Sequence, residues 1–149
     1  MTASSTVQAI LEGKGRNIYS LPPDASVYGA IELMAEKGIG AVLVMDGGEL
    51  AGILSERDYA RKVILKGKLS RETKVAEIMS SPVMVVTPDC TVDEAMTVMT
   101  EKHIRHLPVQ QGNELIGVVS IGDLVKAIIS DQKETIGHLH AYIASQYPG

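Results

Sequence analysis

Apolar and polar positions follow two rhythms along this chain, and both come round twice. Val27, Ala30, Ile31 and Met34 recur at helical spacing behind Ser26, and Val92, Ala95, Met96 and Met99 do the same behind Thr91. Ser26 and Thr91 read as N-caps, Thr91 with Glu94 completing a capping box. Gly38 is the expected stop of the first helix, and His103 stands at that place in the second. Each helix is followed by two short apolar runs, Ala41–Met45 and Glu49–Leu54, then His106–Gln110 and Glu114–Val119. The glycine-containing connections Asp46-Gly47-Gly48 and Gln111-Gly112-Asn113 mark both pairs as hairpins. A closing helix is predicted from Glu56 to Lys66 and from Ile121 to Ser130. The stretches Ile18–Leu21 and Val83–Val86 supply a first strand. The predicted unit is β-α-β-β-α, twice.

Sliding the sequence against itself by 65 residues, which carries Pro23-Asp24 onto Pro88-Asp89, aligns the two units without a gap through Ile64 and Ile129. Met34 falls on Met99, Glu36-Lys37 on Glu101-Lys102, and Gly52, Ser55 and Asp58 on Gly117, Ser120 and Asp123. Such a match means two structural copies, and copies with so few strands should share a core. Outside the repeat, Val7–Glu12 reads as a short helix ending at Gly13, Gly67–Thr73 as a polar linker and Val75–Met79 as a helical turn. The tail from Gln132 to about Ser145 sets Ile136, Leu139 and Ile143 on one helical face.

The phrases Gly52-Ile53-Leu54-Ser55-Glu56-Arg57-Asp58 and Gly117-Val118-Val119-Ser120-Ile121-Gly122-Asp123 place a hydroxyl and a carboxylate where a strand breaks into a helix. Two readings compete. Ser-x-x-Asp is a helix cap. It is also the start of a nucleotide site, since a helix N-terminus favours phosphate and a carboxylate accepts hydrogen bonds from vicinal ribose hydroxyls.

Composition narrows the function classes. The 149 residues carry a net charge of −4, with no Phe or Trp, so neither a basic footprint nor an aromatic stacking platform for nucleic acid is present. A lone Cys90 suits a reducing compartment. The first residues lack a signal-peptide pattern, and no apolar run approaches a bilayer span. A cytoplasmic protein with no membrane partner is therefore expected. His103 with His106, and His138 with His140, lack a third ligand, so no metal is expected. No nucleophile–base set or P-loop stands out, so no catalytic residue is assigned and the chain is read as a non-enzyme.

Laid out this way, residues 14–130 resemble the tandem CBS-domain module, specifically the small free-standing bacterial CBS-pair proteins. The resemblance rests on the two Gly-h-h-Ser-x-x-Asp phrases, on Val75-Ala76-Glu77-Ile78-Met79, and on His103-Ile104-Arg105-His106-Leu107-Pro108-Val109. It implies an α+β fold of two CBS repeats packed about a pseudo-twofold axis, with flanking helices. The corresponding divisions are 1–13, repeat one at 14–66, a linker at 67–74, repeat two at 75–130 and a tail at 131–149. It further implies two clefts taking adenosine ligands (AMP foremost; ADP, ATP, S-adenosyl compounds or NAD(H) otherwise), a disc-like homodimer and regulatory output to an unnamed protein partner. In the second-copy cleft, Asp123 would hold the ribose, Ser120 the phosphate, Arg105 and His106 further phosphate oxygens, and Lys14, Ile18 and Tyr19 would line the adenine side. In the first, Asp58, Ser55 and Arg57 would take these parts, with Ile78, Met79, Pro82 and Val83 as the wall. The rival reading is a dimerisation or protein-interaction module whose clefts are empty or structural.

Overall fold

The computed structural model describes residues 5–131. The predicted C-terminal helical face, the His138–His140 pair and residues 1–4 lie outside that range. The fold is mixed helix and sheet, built as two repeats, and it divides into two compact units. One unit comprises residues 17–84. The other joins residues 5–16 to residues 85–131.

In the 17–84 unit, β1 (Ser20–Leu21) lies parallel to β2 (Ala41–Asp46), which forms an antiparallel hairpin with β3 (Glu49–Ser55). Helix α2 (Val27–Lys37) starts at Ser26, whose Oγ accepts from Gly29 N–H, and stops at Gly38 in the left-handed region. Behind β3 comes α3 (Glu56–Tyr59), which widens into a π-turn over Ala60–Ile64, so the predicted single helix to Lys66 is shorter and changes pitch. Helix α4 (Val75–Ile78) completes the unit. Val27, Ala30 and Met34 from α2 meet Val42, Val44, Leu54, Val63, Val75 and Ile78 in one buried cluster. Each buried Val, Leu, Ile or Met among them stabilises the fold by roughly 1.5–3 kcal/mol.

The second unit repeats the plan with α5 (Val92–Lys102), β4 (His106–Gln111), β5 (Glu114–Ser120) and a helix, α6, over 121–131. The hairpin registers correspond down to the irregularity, between Val44 and Met45 in one and Val109 and Gln110 in the other. Val92, Ala95 and Met99 are buried with Leu107, Val109, Ile116, Val119 and Leu124.

The first strand predicted at Val83–Val86 is reduced to a single bridge from Val86 to Val109. The reason is chemical. In the first repeat Leu43 N–H donates to the Tyr19 carbonyl; its counterpart in the second is Pro108, which has no N–H to give.

The segments set outside the repeat are themselves counterparts. Helix α1 (Val7–Lys14) packs in the second unit, where Val7 and Leu11 are buried. Val7 N–H donates to Cys90 O, Gln8 N–H to Pro88 O, and Val92 N–H to Ser5 O. In the first unit, Val75 N–H donates to Ala25 O, Ala76 N–H to Pro23 O, and Val27 N–H to Thr73 O. An offset of 68, carrying Thr6 onto Lys74, relates the two sets. A glycine on β3 or β5 admits each segment. A Cβ on Gly117 would lie 2.7 Å from the Leu11 side chain, and one on Gly52 would lie 2.5 Å from Met79 Sδ and 3.0 Å from the Ser80 carbonyl.

Candidate functional site

Both Ser-x-x-Asp hinges form at the strand–helix junction expected of them. The first helical N–H of each turns back to the start of the preceding hairpin, Glu56 to Gly40 O (3.0 Å) and Ile121 to Arg105 O (2.8 Å). Both hinges cap. Asp58 N–H donates to Ser55 Oγ at 3.2 Å and Ser55 N–H returns a bond to Asp58 Oδ2 at 3.0 Å. Asp123 N–H donates to Ser120 Oγ at 3.2 Å and Ser120 N–H donates to Asp123 Oδ2 at 2.8 Å. Both carboxylates thus serve as cap acceptors.

They differ in what else holds them. At the second hinge, Lys14 at the end of α1 reaches Asp123 Oδ2 at 2.7 Å and also donates to Val118 O at 3.1 Å. All these bonds fall on Oδ2; Oδ1 carries none of them. Burial opposes ionisation of Asp123, but the Lys14 hydrogen bond and charge and the Ser120 N–H outweigh it, so the carboxyl titrates below its ordinary range. His106, paired with Ser120 across the hairpin, is held below the usual imidazole value chiefly by burial. The Asp123 charge opposes that shift, and Lys14 and Arg105 reinforce it. Arg105 is exposed. The structure therefore gathers Lys14, Arg105, His106, Ser120 and Asp123 around one helix N-terminus. Ile18 and Tyr19 belong to the other unit, where the Tyr19 carbonyl receives Leu43 N–H and its ring lies under Lys37.

At the first hinge both carboxylate oxygens are occupied. Oδ2 accepts from Ser55 N–H and Oγ–H, each at 3.0 Å. Oδ1 accepts from Ser80 Oγ at 3.3 Å and pairs with Lys62 Nζ at 3.2 Å. Lys62 also donates to the Ile78 carbonyl at 3.0 Å, tying α4 to the hinge. Arg57 makes no ion pair among the described residues; the cation on Asp58 is Lys62, one helical turn on. That i, i+4 spacing was available as a signal. Ser80 carried none, because its place depends on the backbone pair it makes with Ile53. Ile78 is buried, Met79 and Val83 are half-buried and Pro82 is exposed behind a cis Ser81–Pro82 bond. No group of three or more His, Cys, Asp or Glu suited to a metal occurs among the described residues.

A duplicated unit whose hinge sets a hydroxyl and an acid at a helix start defines a class of ligand-responsive module, and comparison with known proteins gives that class its family. The family model for the CBS domain matches residues 15–65 and again 75–130, and the chain belongs to that family with two repeats. CBS-pair modules are regulatory and often bind nucleotides.

Among its relatives is a CBS domain-containing protein, CBSX3, mitochondrial, of Arabidopsis thaliana, 39% identical over 97% of this chain and 74% of the relative. A CBS-domain protein of Burkholderia ambifaria MC40-6, ascribed to signal transduction, is 55% identical with a TM-score of 0.83, covering 86% of this chain and 96% of that one. A hexameric CBS-CP12 protein from bloom-forming cyanobacteria is 31% identical with a TM-score of 0.73, covering 80% of this chain and 66% of that one. No helix of the described residues is long and apolar enough to cross a membrane.

Proposed function

We propose that this chain is a regulatory sensor that binds an adenosine nucleotide at the hinge of its second repeat, with AMP as the first choice and ATP, ADP or NAD(H) sharing the recognised part. The observation that supports this most is the group around Asp123. An ionised carboxylate with Oδ1 uncommitted accepts hydrogen bonds from a ribose diol. Lys14, Arg105 and the α6 N-terminus supply positive potential for a phosphate beside it. A ribose seated on Oδ1 leaves Lys14 on Oδ2, so the ligand adds its own contacts to those that already join the end of α1 to the hinge. A ligand biases a conformational equilibrium only by such differential contacts, and this one offers a route to an output partner.

Titration calorimetry with AMP, ATP and NAD(H) on the full chain tests the reading. Saturable binding by at least one of them is expected, and heat indistinguishable from dilution for all three removes it.

A second reading has an observation of its own. Ile121, Val125 and Ile129 form an exposed stripe at i, i+4, i+8 spacing on α6, which suits a module that acts by homodimerisation through protein contacts. It predicts a dimer in analytical ultracentrifugation whose dissociation is unmoved by any nucleotide.

A further inference from the structure

Six consecutive residues from the end of the π-turn onward, Ile64-Leu65-Lys66-Gly67-Lys68-Leu69, face solvent, and the three aliphatics among them are 56%, 76% and 62% exposed. Gly67 N–H closes a turn onto Ile64 O, and Lys68 N–H one onto Val63 O, with Gly67 at φ +70°. The segment is a turn tip that offers its side chains outward. The repeat does not require this chemistry. At matching positions the second copy reads Ile129-Ser130-Asp131-Gln132-Lys133-Glu134, which is largely polar and acidic.

The tip also concentrates charge. Residues 61–74 contain six Lys and Arg against one Glu, in a chain of net charge −4. Lys62 is committed to Asp58 and the Ile78 carbonyl, and Arg71 stacks on the Tyr28 ring at 3.9 Å. The ammonium groups of Lys66 and Lys68 have no hydrogen bond or ion pair among the described residues.

What covers such a tip must supply negative charge and accept aliphatic side chains together. The same patch on a second copy would set lysines against lysines. A nucleic acid offers the charge, but the tip has no aromatic ring on which a base could stack. A folded acidic partner would need a concave apolar pocket to fit a projecting turn. An anionic bilayer supplies both needs without a preformed shape, phosphates for Lys66 and Lys68 and the acyl boundary for Ile64, Leu65 and Leu69. We propose that residues 64–69 are a peripheral docking tip for anionic phospholipid membranes. This goes beyond nucleotide sensing and does not depend on it. It also reverses the expectation of no membrane partner, which rested on the absence of a spanning run.

The test is cosedimentation of the full chain with phosphatidylcholine vesicles, with and without phosphatidylglycerol. Binding is expected only to the anionic vesicles, and to weaken as salt rises. The double substitution Lys66→Gln, Lys68→Gln should lower the partition coefficient about 30-fold, taking about fivefold per charge. Leu65→Ser with Leu69→Ser should abolish binding while circular dichroism and the melting temperature stay unchanged, because both positions are exposed. Absence of binding to phosphatidylglycerol vesicles overturns the proposal, as does binding indifferent to the lysine pair. Retention of binding by the Leu65, Leu69 variant, or full displacement by soluble glycerol phosphate, would assign the tip to a free anion or acidic segment and equally overturn it.

Discussion

The two hinges share one sequence phrase and one cap, yet they are furnished from opposite directions. Asp58 receives its donors from its own repeat's hinge, from Lys62 one turn along the helix, and from Ser80 in the strand-like segment laid against β3. Asp123 receives its cation from Lys14, 109 residues earlier, and keeps one oxygen clear of the described bonds. The backbone is shared; the neighbours differ, and they leave one carboxylate with both oxygens bonded and the other with one oxygen clear of the described bonds. A motif reports where an acid sits, whereas its neighbours decide what the acid can accept.

The sharpest way to break this contrast is to remove each acid in turn. Asp123→Ala should weaken AMP binding roughly 100-fold, the loss expected when a charged acceptor of ribose hydrogen bonds is deleted. Asp58→Ala should leave AMP affinity within about fivefold but lower stability by about 2 kcal/mol. The cap and the Ser80 bond account for that figure, because Lys62 is too exposed to credit its ion pair with much. Calorimetry and urea unfolding of both variants check the pair, and equal affinity losses would dissolve the distinction.

The glycines beneath the two packed segments probe the same contrast through packing. Gly52→Ala should cost about 2–3 kcal/mol, since its Cβ meets the Ser80 backbone as well as Met79. Gly117→Ala should cost only about 1 kcal/mol, because it presses on the movable end of Leu11. Chemical denaturation would reveal the order, and its reversal would show that the segment 79–80 yields more easily than α1.

Helix ends give a smaller effect. His103 occupies the left-handed position (φ 55°) that Gly38 fills in the first repeat. His103→Gly should therefore stabilise the chain by about 1 kcal/mol, and Gly38→His should destabilise it comparably, in thermal melts.

The mildest prediction concerns acidity. A folded imidazole held below its ordinary value adds stability that is complete above about pH 6.5 and lost as the pH falls through its lowered folded value. Melting temperature should decline between about pH 7 and pH 5, and His106→Asn should flatten that slope. The first repeat has Ala41 at this place and contributes nothing of the kind. AMP binding should strengthen over the same fall, since a phosphate beside His106 favours the imidazolium; Asp123, depressed as well, loses its contribution only at lower pH.

Much of this was legible in the chain because it is local. Helix caps, hairpin turns and the hinge all depend on residues within a few positions, and the duplication at an offset of 65 doubled each signal. What stayed hidden depends on distance or on a change of spacing. Lys14 reaches Asp123 only after α1 packs on β5. The kinship of residues 5–11 with 73–79 was masked because the offset there is 68, three residues out of step with the rest. The single bridge at Val86 follows from Pro108, whose missing donor matters only once a neighbouring strand is known. The π-turn at Ala60–Ile64 has no periodic signature in so short a stretch.

The two-segment composition of the second unit has a consequence for how the chain comes to be made. Residues 17–84 emerge from the ribosome as one unbroken piece that carries its own buried cluster, whereas Leu11 waits for Gly117, made more than a hundred residues later, before its side chain is covered. Helix α1 is thus made before the strand that covers it, and the lysine it carries reaches Asp123 only when segments 109 residues apart have met.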